Sequence, residues 1–215
     1  MRIRLCLILV LFASSTWGQS PPALVPAPRS MDRLAGSLML AAPLPIAARD
    51  AELAPHAAAL TDIWWRATGE RTLSTGDVAR EPGGLVLALD PQLADEQYTV
   101  VVTGGSVAGV AHGTATVLQL LQRGAAGWSI PRVQVDDAPE SPYRAVMVDI
   151  ARQPHGQASL RGMVDLAHLY KLRFLQLHLT DDQAFCFPFP PVTEAIDQRP
   201  IPSLEDWREF VRYAD

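Results

Sequence analysis

The spacing of apolar and polar positions changes several times along the 215 residues, and each spacing predicts an element. "AELAPHAAALTDIWWRATG" (51–69) carries apolar residues at helical intervals and stops at a glycine, which predicts a helix. "GGLVLALD" (83–90) predicts a short buried strand, and "EQYTVVVTGG" (96–105), rich in β-branched residues, a second. "VAGVAHG" reads as a third strand after a glycine turn, and "GTATVLQLLQRG" (113–124) as a helix closed by Gly124. This order predicts a compact α+β domain with a partly antiparallel sheet. The stretch "VTGGSVAG" imitates a nucleotide-binding turn. Its spacing is not G-x-G-x-x-G and a strand is expected after it, so it reads as a hairpin turn.

Past a junction rich in proline and acid, "IPRVQVDDAPESPYR" (130–144), the pattern changes. "YRAVMVDIAR" (143–152) reads as a strand with its polar residues at the C-terminal end. "SLRGMVDLAHLYKL" (159–172) has helical spacing behind a Ser159 N-cap, and "RFLQLHLTDD" is a second strand closing on polar residues. Strand, helix and strand at this spacing form a βαβ unit with parallel strands. After an irregular loop (186–202), "SLEDWREFVRYAD" opens another helix with Ser203 and Asp206 at capping-box positions. The β-α-β-α order is the start of a parallel α/β architecture. A (β/α)₈ barrel takes about 250 residues, so residues 143–215 predict only its first portion and a fragment of a longer protein.

Composition narrows the class. A 48% hydrophobic and 19% charged chain excludes wholesale disorder, and a net charge of −5 without a basic stripe excludes nucleic acid as a partner. Residues 1–18 read as a signal peptide: Arg2 and Arg4, then "LCLILVLFA", then small residues up to Gly18. Export to a periplasm or the medium is expected, with no stable membrane insertion once residues 1–18 are removed. Cys6 leaves with them, so Cys186 has no intrachain disulfide partner.

In parallel α/β proteins chemistry collects at the C-terminal ends of strands. The first such end carries Asp149 and Arg152, with His155 in the following loop; the second carries His178, Asp181 and Asp182. An arginine there offers a planar fork of donors for carboxylates or vicinal hydroxyls, and a carboxylate pair suits a sugar hydroxyl, a histidine or a metal. The same residues also fit an internal Asp149–Arg152 ion pair, a solvated Asp181–Asp182 loop start and a hydrogen-bonded structural His178. His178, Asp181 and Asp182 lack a distinctive metal-ligand spacing. His112 and His168 read as structural, and Cys186 has no basic neighbour in sequence to activate it.

The stretch "YRAVMVDIARQPHGQASLRGMVDLAHLYKLRFLQLHLTDDQAF" resembles the start of the catalytic barrel of glycoside hydrolase family 20, the β-N-acetylhexosaminidases. Upstream, "LVPAPRS", "DEQYTVVVT", "HGTATVLQLLQ" and "IPRVQVDDAPESPYR" fall in the order of that family's non-catalytic α+β domain. The resemblance covers about residues 23–215. After the signal peptide read at 1–18, it implies a non-catalytic α+β N-terminal domain at 19–138 and the first β-α-β-α portion of a TIM barrel, incomplete in this chain, at 139–215. It also implies exo-acting release of a terminal non-reducing GlcNAc or GalNAc with retention, the substrate's own 2-acetamido oxygen acting as nucleophile.

On the same resemblance Arg152 binds the terminal sugar, with Asp181, Asp182, His178 and Asp149 in support. One of Asp181 and Asp182, with Asp181 favoured, holds a histidine further along the chain. The resemblance implies no cofactor and no metal, and a glycan with a terminal N-acetylhexosamine as the partner. The family's general acid glutamate and the aspartate that orients the acetamido group belong to an HxGxDE-type motif. No such motif occurs in residues 1–215, so no catalytic residue is expected here and the chain alone is expected to be inactive. Gln153 stands where the family has histidine, Ala145 where it has glycine, and Gln176 where histidine is frequent. A non-catalytic carbohydrate-binding or scaffold protein with the same domain pair is the alternative, and an unrelated α/β hydrolase or metal enzyme a third.

Overall fold

The structure is a computed structural model that describes residues 23–74, 84–93, 98–99, 103–189 and 201–214. Residues 1–18, expected to be a signal peptide, lie outside these, as does most of the irregular loop at 186–202. Two hydrophobic cores organise the described residues.

The first core belongs to a mixed sheet. Its strands are β1 (Ser30–Met39), β2 (Leu44–Ala48), β3 (Thr72–Ser74), β4 (Leu85–Leu89), β5 (Tyr98–Thr99), β6 (Thr103–Gly104), β7 (Gln122–Gly124) and β8 (Gly127–Asp137), ordered β1-β8-β5-β6-β4-β2-β3 with β7 on β8. β1–β8, β5–β8 and β5–β6 are antiparallel, whereas β2–β3, β2–β4 and β4–β6 are parallel. The expectation of a partly antiparallel sheet therefore holds. Two helices pack on it, α1 (Ala54–Thr68) and α2 (Val107–Leu120). α1 stops as predicted, because Gly69 takes the left-handed conformation (φ 72°) and its N–H returns to the Trp65 carbonyl. Trp64 is buried in this core with its ring edge-on to Trp128.

Several expectations fail in this half. The single strand expected at 96–105 is replaced by β5 and β6, which pair antiparallel with each other, and the turn after it leads into a helix rather than a hairpin. Residues 107–113 are not a strand but the first two turns of α2, capped by Ser106, whose side chain accepts from the Gly109 N–H. Residues 109, 110, 112–117 and 120 are all buried, so α2 is enclosed nearly all round and lacks the polar face that marks a surface helix. Gly124 does not close that helix: it ends at Leu120, and Gln122–Gly124 pairs with β8. Residues 130–137 are no mere junction but most of the long strand β8. Val133 and Val135 are buried there and alternate with exposed Arg132, Gln134 and Asp136.

The second core lies under a parallel pair, β9 (Ala145–Asp149) and β10 (Phe174–His178), joined by α3 (Gln157–Leu169). This is the predicted βαβ unit. α3 begins two residues before the expected Ser159 cap; Gly156 is the N-cap, and no side chain caps it. Val148, Leu175 and Leu177 pack against a core of Ile150, Leu160, Trp207 and Phe210. The alternate residues Met147, Phe174 and Gln176 are exposed on the opposite face.

Beyond His178 the expected single strand is interrupted. Thr180–Asp181 (β11) folds back antiparallel on Ala184–Phe185 (β12), so both aspartates sit in a tight hairpin. α4 (Leu204–Ala214) has the predicted capping box: the Asp206 carboxylate accepts from the Ser203 N–H at 2.7 Å, and the Ser203 hydroxyl oxygen accepts from the Asp206 N–H at 3.2 Å.

Candidate active site

Parallel pairing puts Asp149 and His178 opposite each other at the C-terminal ends of β9 and β10. The backbone fixes the first of them. Asp149 Oδ1 accepts from the N–H groups of both Ala151 and Arg152 at 3.1 Å, while the N–H groups of Ile150 and Ala151 donate to the His178 carbonyl. The chain therefore turns sharply after Asp149 and brings Arg152 back over it.

The Arg152 Nε donates to Asp149 Oδ2 at 2.6 Å and stands 3.5 Å from Asp181 Oδ2. The same Asp181 oxygen lies 3.1 Å from His178 Nε2. The result is a chain of contacts, Asp149–Arg152–Asp181–His178, bridging the two strand ends. The internal ion pair and the strand-end cluster, alternatives in the sequence, are one arrangement. The arginine side chain remains 53% exposed, so its held guanidinium is presented to solvent.

Protonation separates the two adjacent aspartates. A hydrogen bond from the Asp182 carboxyl, with His178 and the charge of Arg152 adding to it, holds Asp181 down to about 2. Asp182 is pushed the other way by the neighbouring Asp181 carboxylate. An ionised Asp181 can only accept, so His178 Nε2 carries its hydrogen. The backbone N–H of Arg152, then its guanidinium, lowers Asp149 below the usual carboxylate range, and Asp149 in turn raises Arg152. The site holds one ionised carboxylate on each strand end, with an arginine between them.

The structure thus brings Asp149, Arg152, His178 and Asp181 together, with Asp182 exposed beside them. His155 is elsewhere. It lines a separate cleft of about 340 Å³ with Ile150, Gln157, Cys186, Ile201 and Asp206. Cys186 is buried and donates its thiol hydrogen to the Leu179 carbonyl, a structural contact. A larger depression of about 510 Å³ lies at the far edge of the first sheet, against Ala42, Pro43 and Glu70–Leu73. Neither is lined by the polar cluster. Among the described residues no three His, Cys, Asp or Glu side chains are placed to hold a metal ion. The two backbone amides that grip Asp149 were not foreseen, because they depend on the turn rather than on residue types.

Mixed sheet followed by a parallel βαβ unit defines a protein with α/β character whose charged residues gather at the C-terminal strand ends. Residues 21–138, more than half of the chain, match glycosyl hydrolase family 20, domain 2, and residues 141–199 match the glycosyl hydrolase family 20 catalytic domain. The chain belongs to glycosyl hydrolase family 20. It is 39% identical over 66 residues to an N,N'-diacetylchitobiase of Vibrio harveyi, a match spanning 31% of this chain and 8% of the relative. It is 34% identical over 126 residues to a β-hexosaminidase of Akkermansia muciniphila, spanning 54% of this chain and 26% of that protein. The solved Vibrio harveyi exo-β-N-acetylglucosaminidase of this family, in complex with N-acetylglucosamine, superposes with a TM-score of 0.75 at 22% identity. That superposition covers 89% of this chain and 34% of the other. At that identity the likeness is one of fold. The chain spans well under half the length of these proteins.

Proposed function

We propose that this chain is the N-terminal part of an exo-acting β-N-acetylhexosaminidase and that Arg152 grips the terminal sugar. Residues 19–138 form the family's non-catalytic α+β domain and residues 139–215 begin a (β/α)₈ barrel. The single observation that carries the reading is the exposed Arg152 guanidinium held at the strand ends by Asp149 and Asp181, in a chain of this family. A planar donor fork fixed in place loses little freedom on binding vicinal hydroxyls. Asp149 supplies the fixing contact, and His178 keeps Asp181 aligned. Asp181, the carboxylate that stays ionised, suits the role of holding a histidine that becomes charged. Asp182 borders the sugar site. Residues 1–18 export the protein to a periplasm or the medium.

Retaining cleavage in this reading uses the substrate's acetamido oxygen as nucleophile and an acid that protonates the leaving oxygen. The only Asp-Glu dipeptide in the 215 residues, Asp95–Glu96, belongs to the first half. No bond-breaking pair stands within residues 1–215, so this stretch by itself is expected not to cut the glycosidic bond.

The test is hydrolysis of a chromogenic N-acetylglucosaminide by a protein that carries this chain through a complete barrel. Arg152→Ala is expected to lower kcat/KM by about tenfold or more, because charge-assisted hydrogen bonds to the sugar are lost. Arg152→Lys recovers only part of it, since an ammonium lacks the fork. Unchanged kinetics in Arg152→Ala would remove the arginine from the site. Absence of hydrolysis in the wild-type protein, with retained binding of N-acetylglucosamine, would favour a carbohydrate-binding role.

A further inference from the structure

The face on which the two cores meet is built from helices that carry histidines, and their hydrogen bonds fix the protonation of each. His112 on α2 is buried, and its Nε2 lies 3.0 Å from Arg144 Nη2. A guanidinium has no acceptor, so His112 Nε2 must accept and carries no hydrogen. Arg144 cannot easily swing away from a proton arriving there. Its Nε donates to the Lys171 carbonyl at 2.9 Å and its Nη1 to the Ser141 carbonyl at 2.6 Å.

His168, on α3, meets α2 from the other side, its Nε2 3.3 Å from Thr114 Oγ1. The Thr114 hydroxyl donates its hydrogen to the Ala111 carbonyl at 2.7 Å, so its oxygen accepts from His168 Nε2–H.

The surrounding charges come from every packed element. α1 contributes His56 and Arg66, α3 contributes Asp165, and α4 contributes Tyr213. Asp165 is already shared, since it accepts from the Arg66 fork and from the Tyr213 hydroxyl. At the base of the same face Lys171 Nζ donates to Asp137 at 3.0 Å. Burial, with His112 next and His56 adding, holds His168 down to about 4 against the opposing pull of Asp165. Burial also lowers His56.

We propose that the α2–α3 face is an acid-released latch: protonation of His168, beside the Arg144-bound His112, undocks the β9–α4 unit from the first sheet. A proton on His112 Nε2 faces a held arginine, and a proton on His168 enters a buried face that already contains a second imidazole. His168 becomes hydrated when the face opens, so the open state binds the proton. The latch is a property of the domain contact and stands apart from the glycosidase reading.

The sign follows from the depressed His168. Its closed-state value of about 4 lies below the ordinary 6.5, so the open state holds more protons between those values. Docking is fully present above that window and weakens as pH falls through it. One proton taken up makes opening about tenfold more frequent per pH unit.

The test is NMR titration of the histidine rings in the 215-residue chain, with hydrogen exchange of α2 and α3 amides from pH 7.5 to 4.5. Exchange is read against β8 amides, which corrects for the pH dependence of exchange chemistry. His168 is expected to titrate near 4, with α2 and α3 opening rising about tenfold per unit below about pH 6.5. His168→Gln, which keeps a donor for Thr114, should make opening much less dependent on pH. A His168 that titrates near 6.5, or an opening profile that is flat in the wild type or unaltered in His168→Gln, overturns the latch. Should that variant fail to fold, the wild-type titration decides alone.

Discussion

The two cores solve the same problem to different degrees. In the first, an eight-stranded sheet and two helices enclose Leu44, Leu53, Leu60, Leu87, Val110 and Val135, each at most 2% exposed. In the second, a two-stranded parallel sheet is covered on one face only. Val148, Leu175 and Leu177 lie under helices, while Met147 and Phe174 on the other face are 57% and 44% exposed. Parallel strands are normally buried on both faces. The β9–β10 pair therefore has the composition of strands meant for two-sided cover, and here it leans on the first half through α3. Within residues 1–215 the candidate site rides on the less covered of the two cores, whose open face is the one further strands of the proposed barrel would cover.

The contact that joins them should produce the largest effect. Lys171 and Asp137 form an ion pair with side chains only 5% and 10% exposed. Burial lowers Lys171, and the salt bridge to Asp137 opposes that. Lys171 also ends α3 in the left-handed conformation (φ 57°), where its N–H returns to His168 and that of Leu172 to Ala167. That is the position where helices usually place glycine. Lys171→Ala strands a buried carboxylate and should cost about 3–5 kcal/mol in urea unfolding. It should also split the transition, with Trp207 reporting loss of the second core before Trp64 and Trp128 report the first. A single transition within about 1 kcal/mol of wild type would mean that the pair does not couple the halves.

A matched pair of truncations sharpens the same contrast. Leu87 and Leu160 are both fully buried, one in each core. Leu87→Ala and Leu160→Ala should each cost about 2–5 kcal/mol, with Leu87 toward the upper end because its surroundings are closed on all sides. Calorimetry and near-UV circular dichroism should show Leu160→Ala loosening the second core while the first persists. Equal, fully cooperative losses would make the two cores one unit. Loss of sugar hydrolysis in Arg152→Ala, by about tenfold or more, tests whether the weaker half carries the chemistry. The smallest effect belongs to the α4 cap. Ser203→Ala should cost about 1 kcal/mol and be read in the second core alone. A shift in the first core as well would show that α4 supports both.

Much of the second half was legible in sequence because its elements are amphipathic and carry their own boundary signals. The alternation in "RFLQLHL", the helical spacing after Ser159 and the Ser203–Asp206 box each named their element. The first half was less legible where burial is complete. α2 looked like strand then helix because a segment buried all round shows no polar face, and β8 was hidden by the prolines and acids at its C-terminal end. β1 is exposed at nearly every position, so no alternation announced it.

The residues of the candidate site could be named from sequence alone, because side-chain chemistry at strand ends is written in residue types. Asp149, Arg152, His178, Asp181 and Asp182 were all singled out that way. Their arrangement was not. Which aspartate stays ionised depends on Asp181 meeting His178 and Arg152 across a hairpin. The grip on Asp149 depends on backbone amides that turn back only after β9 ends. The histidine face between the cores depends on helices separated by dozens of residues. Local pattern determines which groups are available, because propensity and periodicity act over neighbouring residues. Protonation and partner choice were decided by the tertiary structure, because they depend on which distant groups share a low-dielectric space.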